Sequence, residues 1–280
     1  MRLVLGGRDY DLTYRSLVMG ILNRTPDSFY DAGAYFEMSR FVDLAAEHVA
    51  AGADILDVGG VKAGPGPEVG EQEELDRVLP GVSALVERFD LPVSVDTWRA
   101  SVARQAYSAG AVLGNDISGF ADPEYLTAAA EAGASVVATH IRLAPRVADP
   151  EPLYDKVTRV VRDRLAELAS RAVTAGVPKE KVVIDAGLDL GKTWQQSLLL
   201  LRRSSELASL GFPLLLSASN KTFLGRLLDL EVNERRLASA AATALGVSEG
   251  CRVVRAHDVA GTRRTVDTIA AVLAGRTVPD

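Results

Sequence analysis

The sequence holds a single cysteine, Cys251, in 280 residues. One thiol excludes an internal disulfide framework and suits a reducing compartment; on its own it reads as a small buried hydrophobe. Basic residues do not dominate either: 31 Lys and Arg stand against 37 Asp and Glu, a formal charge of −6. Without a basic excess, neither nucleic acid nor an anionic membrane is an expected partner. No run of about 18 apolar residues is present to span a bilayer. Arg8, Asp9 and Asp11 fall where a secretion signal would need its apolar stretch. These absences lead to the expectation of a soluble, cytoplasmic protein. Repeats, low-complexity tracts and linkers are also missing, so residues 1–280 are expected to form one domain, although the length alone would allow two.

What is present is alternation. Short β-rich runs recur at 16–22, 54–60, 91–97, 111–117, 134–141, 181–187, 212–219 and 252–259. Several are almost continuously apolar, as strands buried on both faces should be. Amphipathic, helix-length stretches separate them. In SRFVDLAAEHVAAG, Phe41, Leu44, Ala45 and His48 fall on one helical face, with Ser39 placed to cap the start and Gly52 to end the helix. Further helices are expected at about 71–89, 99–109, 123–132, 151–175, 194–210, 233–246 and 262–274. Eight strands alternating with eight helices predict an α/β fold, a single (β/α)8 barrel with parallel strands. Before it, Gly6-Gly7 between alternating residues predicts an N-terminal hairpin capping the lower mouth. Two long loop-like stretches, 24–38 and 59–70, follow the first two strands and have the length of functional lids.

The polar residues are informative by position. Asn23 follows the first strand, Asp57 and Asp96 end the second and third, and Asn115 lies on the fourth. Asp185 lies on the sixth, Ser219 and Lys221 at the seventh, and Arg255 and His257 on the eighth; His140 on the fifth completes the ring. Groups at the C-terminal ends of barrel strands converge on the mouth where ligands bind. Burying so many there without partners would cost on the order of 1–3 kcal/mol each. The inventory predicts a polar small-molecule site: carboxylates and an amide for a nitrogen heterocycle, and Arg255, His257 and Lys221 as cations for phosphate. GLDLGKT (187–193) imitates a nucleotide-binding loop, but three residues stand where that motif needs four. Of the histidines, His48 reads as a core residue, His140 as pocket-lining and His257 as functional, sharing a strand face with Arg255.

At these residues the chain resembles the dihydropteroate synthase family. The motifs occur in family order across about 16–260: MGILNRTPDSFYDAG, DVGG, SVDT, GNDISG, DAGLDLGKT, SASNKTFLG and RAHDV. The resemblance implies a reaction joining a dihydropterin methyl diphosphate to p-aminobenzoate, with release of diphosphate. It implies that Asp96, Asn115, Asp185 and Lys221 hold the pterin, and that Asn23, Arg255 and His257 hold the diphosphate, with Mg²⁺ at Asn23. Asp57 and Asp96 would be the catalytic carboxylates, and the family habit implies a homodimer, which the small-residue stretch ASAAATALGV (238–247) would suit.

The departures bear on function. Where the family reads roughly D-x-G-G-E-S-T-R-P-G, this chain has Val61, Lys62, Ala63 and Gly64 in place of Glu, Ser, Thr and Arg. The family loop closes over the site and helps form the aminobenzoate pocket; here its hydroxyl and guanidinium are gone, and Lys62 offers only a point charge. Arg24, Ala32, Leu188, Asp189, Leu190, Asn220 and Thr139 also depart from the pattern. Asp189 and Leu190 are expected to weaken the pterin pocket. The leading expectation is a divergent family member with little or no synthase activity that retains a pterin or anion pocket. The first alternative is a working synthase in which Lys62 and Arg24 replace the missing arginine. The second is methyl transfer from a methylated folate.

Overall fold

The computed structural model describes residues 1–25 and 38–275. Residues 2–11 form the expected hairpin. β1 (Arg2–Leu5) and β2 (Arg8–Asp11) pair antiparallel around Gly6 and Gly7, and both glycines take positive φ, as a two-residue hairpin turn requires. Eight parallel strands then close a barrel: β3 (Leu17–Asn23), β4 (Ile55–Gly59), β5 (Val93–Asp96), β6 (Leu113–Asp116), β7 (Ser135–Thr139), β8 (Val182–Asp185), β9 (Leu214–Ser217) and β10 (Cys251–Ala256). The order runs β3 to β10 in sequence, with β10 returning to β3. Every barrel strand falls on one of the eight runs expected from the sequence.

The helices that cover the barrel differ from expectation in four places. α1 (Met38–Ala50) begins one residue before Ser39, which therefore lies inside the helix; Gly52, at φ +90°, does follow its end. After α2 (Glu71–Arg88), α3 (Ala100–Ser108) and α4 (Tyr125–Glu131), α5 starts only at Val157 and runs to Thr174. The preceding residues stay irregular because they are spoken for: Pro152 O accepts from Gln196, and Tyr154 Oη donates to Gly191 O. The stretch expected as one helix over 194–210 is two, α6 (Trp194–Arg202) and α7 (Ser204–Ala208). Ser204 Oγ donates back to the carbonyls of Leu200 and Leu201, a side-chain bond that competes with continued helix. α8 (Thr222–Leu228) is additional. Seven residues with a central Gly225 carry no readable period, and the helix is supported from outside, where Asp189 Oδ2 accepts from Phe223 N at 3.2 Å. α9 (Arg236–Ser248) and α10 (Val259–Leu273) complete the ring.

Two apolar layers result. The outward residues of the strands and the inner faces of the helices form the larger core, with Val58, Val95, Val136 and Ile184 among them. The barrel interior is separate: Leu17, Met19, Ile55, Leu113, Val137, Val183, Leu215 and Val253 pack with Leu3, Leu5 and Leu12 of the hairpin region. The hairpin thus plugs the lower mouth with leucines. His48 is a core histidine, its Nε2 at 3.2 Å from Ile21 O and its ring against Gly20, where no β-carbon would fit. Among the described residues, no helix is long and apolar enough to cross a membrane.

Candidate functional site

Strand periodicity locates the site. Successive side chains of a strand point to opposite faces, so the parity of the interior apolar residues fixes which upper residues also face inward. Two residues above Leu113 stands Asn115; above Val183, Asp185; above Val253, Arg255; above Ile55, Asp57. By the same count Asn23 lies four above Met19. The register aligns Asn23 with Gly59, Gly59 with Asp96, and Asp96 with Asn115 across four adjacent strands. A polar layer therefore lies directly on the apolar floor, at the C-terminal mouth.

Arg255 organises this layer. Its Nε donates to Asp57 Oδ2 at 2.6 Å and its Nη2 to Asp96 Oδ2 at 2.7 Å. Asn115 Nδ2 also donates to Asp57 Oδ2, at 3.3 Å. Asp185 Oδ1 accepts from Gly187 N, and its charge is faced by Lys221, Lys192 and Arg255. Asn23 Oδ1 lies 3.3 Å from the point where a Gly59 β-carbon would stand, and Asp96 Cβ lies 3.5 Å from it, so glycine there lets these two side chains approach.

Burial shifts Asp96, Asp185 and Lys221 toward their neutral forms. It raises the Asp96 pKa, with Arg255 opposing, and raises that of Asp185, with Lys221 opposing. Burial lowers the Lys221 ammonium pKa, again against Asp185, and Lys221 Nζ donates to Leu188 O at 2.6 Å. Three inward-facing polar atoms are buried without a hydrogen-bond partner: Asp57 Oδ1, Ser94 Oγ and Thr139 Oγ1. Orphaned polar groups are uncommon in folded proteins and mark where a polar ligand or water belongs.

Several expectations are corrected here. His257 is not a cation. Burial, with Arg255 beside it, pushes its pKa down to about 3, and its Nδ1 lies 3.0 Å from Ser219 Oγ. His140 is a satisfied histidine at the end of β7: its Nδ1 meets Lys192 Nζ at 2.9 Å and its pKa is pushed down to about 3, chiefly by burial. Asp189 does not lie bare in the pocket, because its carboxylate serves Phe223 N and Ser197 Oγ. Arg24 leaves the mouth altogether. Its guanidinium lies over the Phe41 ring at 5.1 Å and reaches Met38 Sδ, between α1 and α2. It does not stand in for a loop arginine. Ala32 and the motif residues 26–33 lie outside the described residues.

The changed loop is anchored through its backbone. Val61 is buried. Arg77 Nη1 donates to Gly60 O, Arg146 Nη1 to Lys62 O, Arg146 N to Ala63 O, and Arg99 Nη2 to Val69 O. Gly64 lies between the Arg146 contacts. The sequence reading missed these arginines, since carbonyl-binding side chains carry no motif. It also missed Lys192, whose Nζ reaches His140 Nδ1 and the carbonyls of His140, Gly187 and Leu190. The glycines flanking Leu188–Leu190 were the available sign that backbone closes around a side chain there. The resemblance of GLDLGKT to a phosphate loop is superficial: its lysine is consumed internally.

The fold and this mouth define a barrel protein built to take a polar heterocycle. The chain belongs to the pterin binding enzyme family, whose model matches residues 19–257. It is 46% identical over 264 residues to a Mycobacterium leprae protein named inactive dihydropteroate synthase 2, covering 92% of this chain and 91% of that one. It is 39% identical to the dihydropteroate synthase of Bacillus subtilis, covering 92% of this chain and 89% of that one. Its structure matches that of the Yersinia pestis dihydropteroate synthase in complex with a sulfonamide drug, with a TM-score of 0.94, 37% identity, and coverage of 98% of this chain and all of that one.

Proposed function

We propose that this protein is a divergent dihydropteroate synthase-like barrel that binds a pterin but carries out little or no synthase reaction. The observation that carries this reading is a contrast within one mouth. Asp96, Asn115, Asp185 and Lys221 make up the expected pterin set, with Arg255 of the diphosphate set bonded to Asp96, while the neighbouring loop offers Val61, Lys62, Ala63 and Gly64 and its backbone is already engaged. Asp57, Asp96 and Asp185 present acceptors to the N–H edges of a heterocycle, and Asn115 adds a donor and an acceptor. Arg255 and the neutral imidazole of His257 donate to the anionic tail. Losing a hydroxyl and a guanidinium that act on the transition state costs roughly 10²–10³ in rate for each contact. That is enough to leave binding without turnover, and the names of the mycobacterial relatives agree with it.

Mg²⁺ fits this mouth only in company with a diphosphate. Among the described residues, no cluster of three or more acidic or imidazole side chains could hold an ion alone. Asn23 would give an amide oxygen, which suits a cation that takes few protein ligands and several phosphate oxygens. The ion would neutralise charge on the departing diphosphate. The protein is read as one pterin-binding domain, cytoplasmic, and assembled as a homodimer through the small-residue face of α9.

Calorimetry with the dihydropterin methyl diphosphate and Mg²⁺, run beside a synthase assay with p-aminobenzoate, tests this reading. Binding without dihydropteroate formation is expected. Robust synthesis at ordinary substrate levels overturns it and favours the working-synthase alternative. Binding of a methylated folate in place of the diphosphate would favour the methyl-transfer reading.

A further inference from the structure

The segment 60–70 is held at three places by three arginines of different origin. Arg77, on α2, takes the Gly60 carbonyl at 2.9 Å, and Arg99, after β5, takes the Val69 carbonyl at 2.7 Å. Arg99 is itself fixed by Glu74, a fully buried carboxylate that also accepts from Thr97 Oγ1 at 2.6 Å. These two hold the feet of the loop. The third, Arg146, holds its crown from elsewhere in the fold. Arg146 stands on the segment between β7 and α5; its Nη1 donates to Lys62 O at 3.0 Å, its backbone N to Ala63 O at 3.1 Å, and its Nη2 to Pro67 O.

The topology gives this contact its meaning. β4 and β7 are separated in the ring by β5 and β6, whose ends carry Asp96 and Asn115. A bond between the loop after β4 and the segment after β7 therefore spans that side of the mouth. Arg146 adopts φ +67°, a left-handed conformation that persists only where surrounding contacts impose it. The segment that presents it is closed on itself by the two-pronged pair of Arg142 with Asp149, at 2.7 and 3.1 Å. Gly66 gives the guanidinium room, since a β-carbon there would lie 3.0 Å from Arg146 Nη2.

We propose that Arg146 is a positioning residue that latches the segment 60–70 across the mouth, and that exchange of the pterin-class ligand requires its release. The second half rests on the pterin-binding reading above; the latch itself does not. A planar fork that donates to two carbonyls at once is a task for guanidinium, and an ammonium satisfies it only in part.

The test uses the full chain, as wild type and as Arg146→Ala, Arg146→Lys and Gly66→Val, the last crowding the guanidinium from the loop side. Limited trypsin digestion, with cleavage after Lys62 followed by mass spectrometry, reports the latch without any ligand. Stopped-flow displacement of a fluorescent oxidised pterin reports exchange. Loss of the charge-assisted bonds to Lys62 and Pro67 predicts cleavage after Lys62 and pterin dissociation each faster by roughly tenfold or more in Arg146→Ala. Arg146→Lys and Gly66→Val should fall between it and wild type, with thermal midpoints near that of wild type. Wild-type cleavage rates in both Arg146→Ala and Gly66→Val overturn the latch. Faster cleavage with unchanged pterin dissociation overturns the gating role. If the wild type binds no pterin, faster cleavage still establishes the latch, while the failure belongs to the proposed function.

Discussion

Arg255 donates through Nε to Asp57 Oδ2 at 2.6 Å, and Asp57 has no exposed surface. This pair ties the last strand of the barrel to the second, across β3. A buried pair of this kind adds little net stability, yet breaking it strands the survivor without solvent. Arg255→Leu should therefore destabilise the protein by about 3 kcal/mol, leaving Asp57 buried beside Asp96 without its cationic partner. Arg255→Leu combined with Asp57→Asn should recover part of that loss. Urea denaturation of the two variants checks this; equal stability of the single and double variants contradicts it.

The buried histidines predict an acid-side weakness. His140 has its pKa pushed to about 3, against 6.5 for the free side chain. Below pH 6.5 the unfolded chain takes up a proton that the folded chain refuses until about pH 3. The contribution of His140 is thus complete above pH 6.5 and is lost as pH falls toward 3, by about 1.4 kcal/mol per pH unit. Asp116, raised to about 6 chiefly by burial, works in the opposite sense over pH 4–6. The comparison is therefore made between wild type and His140→Gln: the stability difference should narrow as pH drops from 6.5 to 4.5. NMR should find the His140 and His257 rings neutral at pH 5.

Lys192 predicts an effect of pH on the alkaline side. Burial lowers its pKa to about 7, against an ordinary value of 10.5. Between pH 7 and 10 the unfolded chain binds the proton that the folded chain has released. The lysine's contribution therefore grows with pH across that window, by up to about 1.4 kcal/mol per unit. Lys192→Met should remove this slope and take the Nζ donor from the carbonyls of Leu190 and His140, while Gly187 O keeps its bond from Leu190 N. Denaturation curves at pH 7 and 9 for both proteins decide the matter.

Gly114 should not tolerate alanine. A β-carbon there would collide with the hydroxyls of Tyr107 and Tyr125, both packed behind β6. Overpacking of this kind costs about 1–3 kcal/mol. The combination Gly114→Ala with Tyr107→Phe should regain part of it, read as a rise in thermal midpoint over the single variant.

Much of this protein was legible in its sequence. Several of the eight barrel strands are near-continuous apolar runs, and polar residues lie at or beside their C-terminal ends, so both the barrel and the composition of its mouth follow from residue order. The hairpin follows from Gly6-Gly7. Strand parity then places Asp57, Asn115, Asp185 and Arg255 on one inward layer with no tertiary information beyond closure of the barrel. The short helix Thr222–Leu228 was not legible: seven residues show no period, and part of its support comes from Asp189, more than thirty residues away.

What the sequence determined alone is everything that depends on near neighbours: the alternation of strand and helix, the turn glycines, and the ring of polar strand ends. What only the tertiary structure decided is which charges meet. Arg24 turned outward onto Phe41, Asp189 was spent on a helix start, and Lys192 was enclosed by carbonyls, while Arg146 came from three strands away to hold the changed loop. Hydrogen bonds to backbone carbonyls and the desolvation of charges depend on distances that closure of the barrel creates, and linear order does not record them.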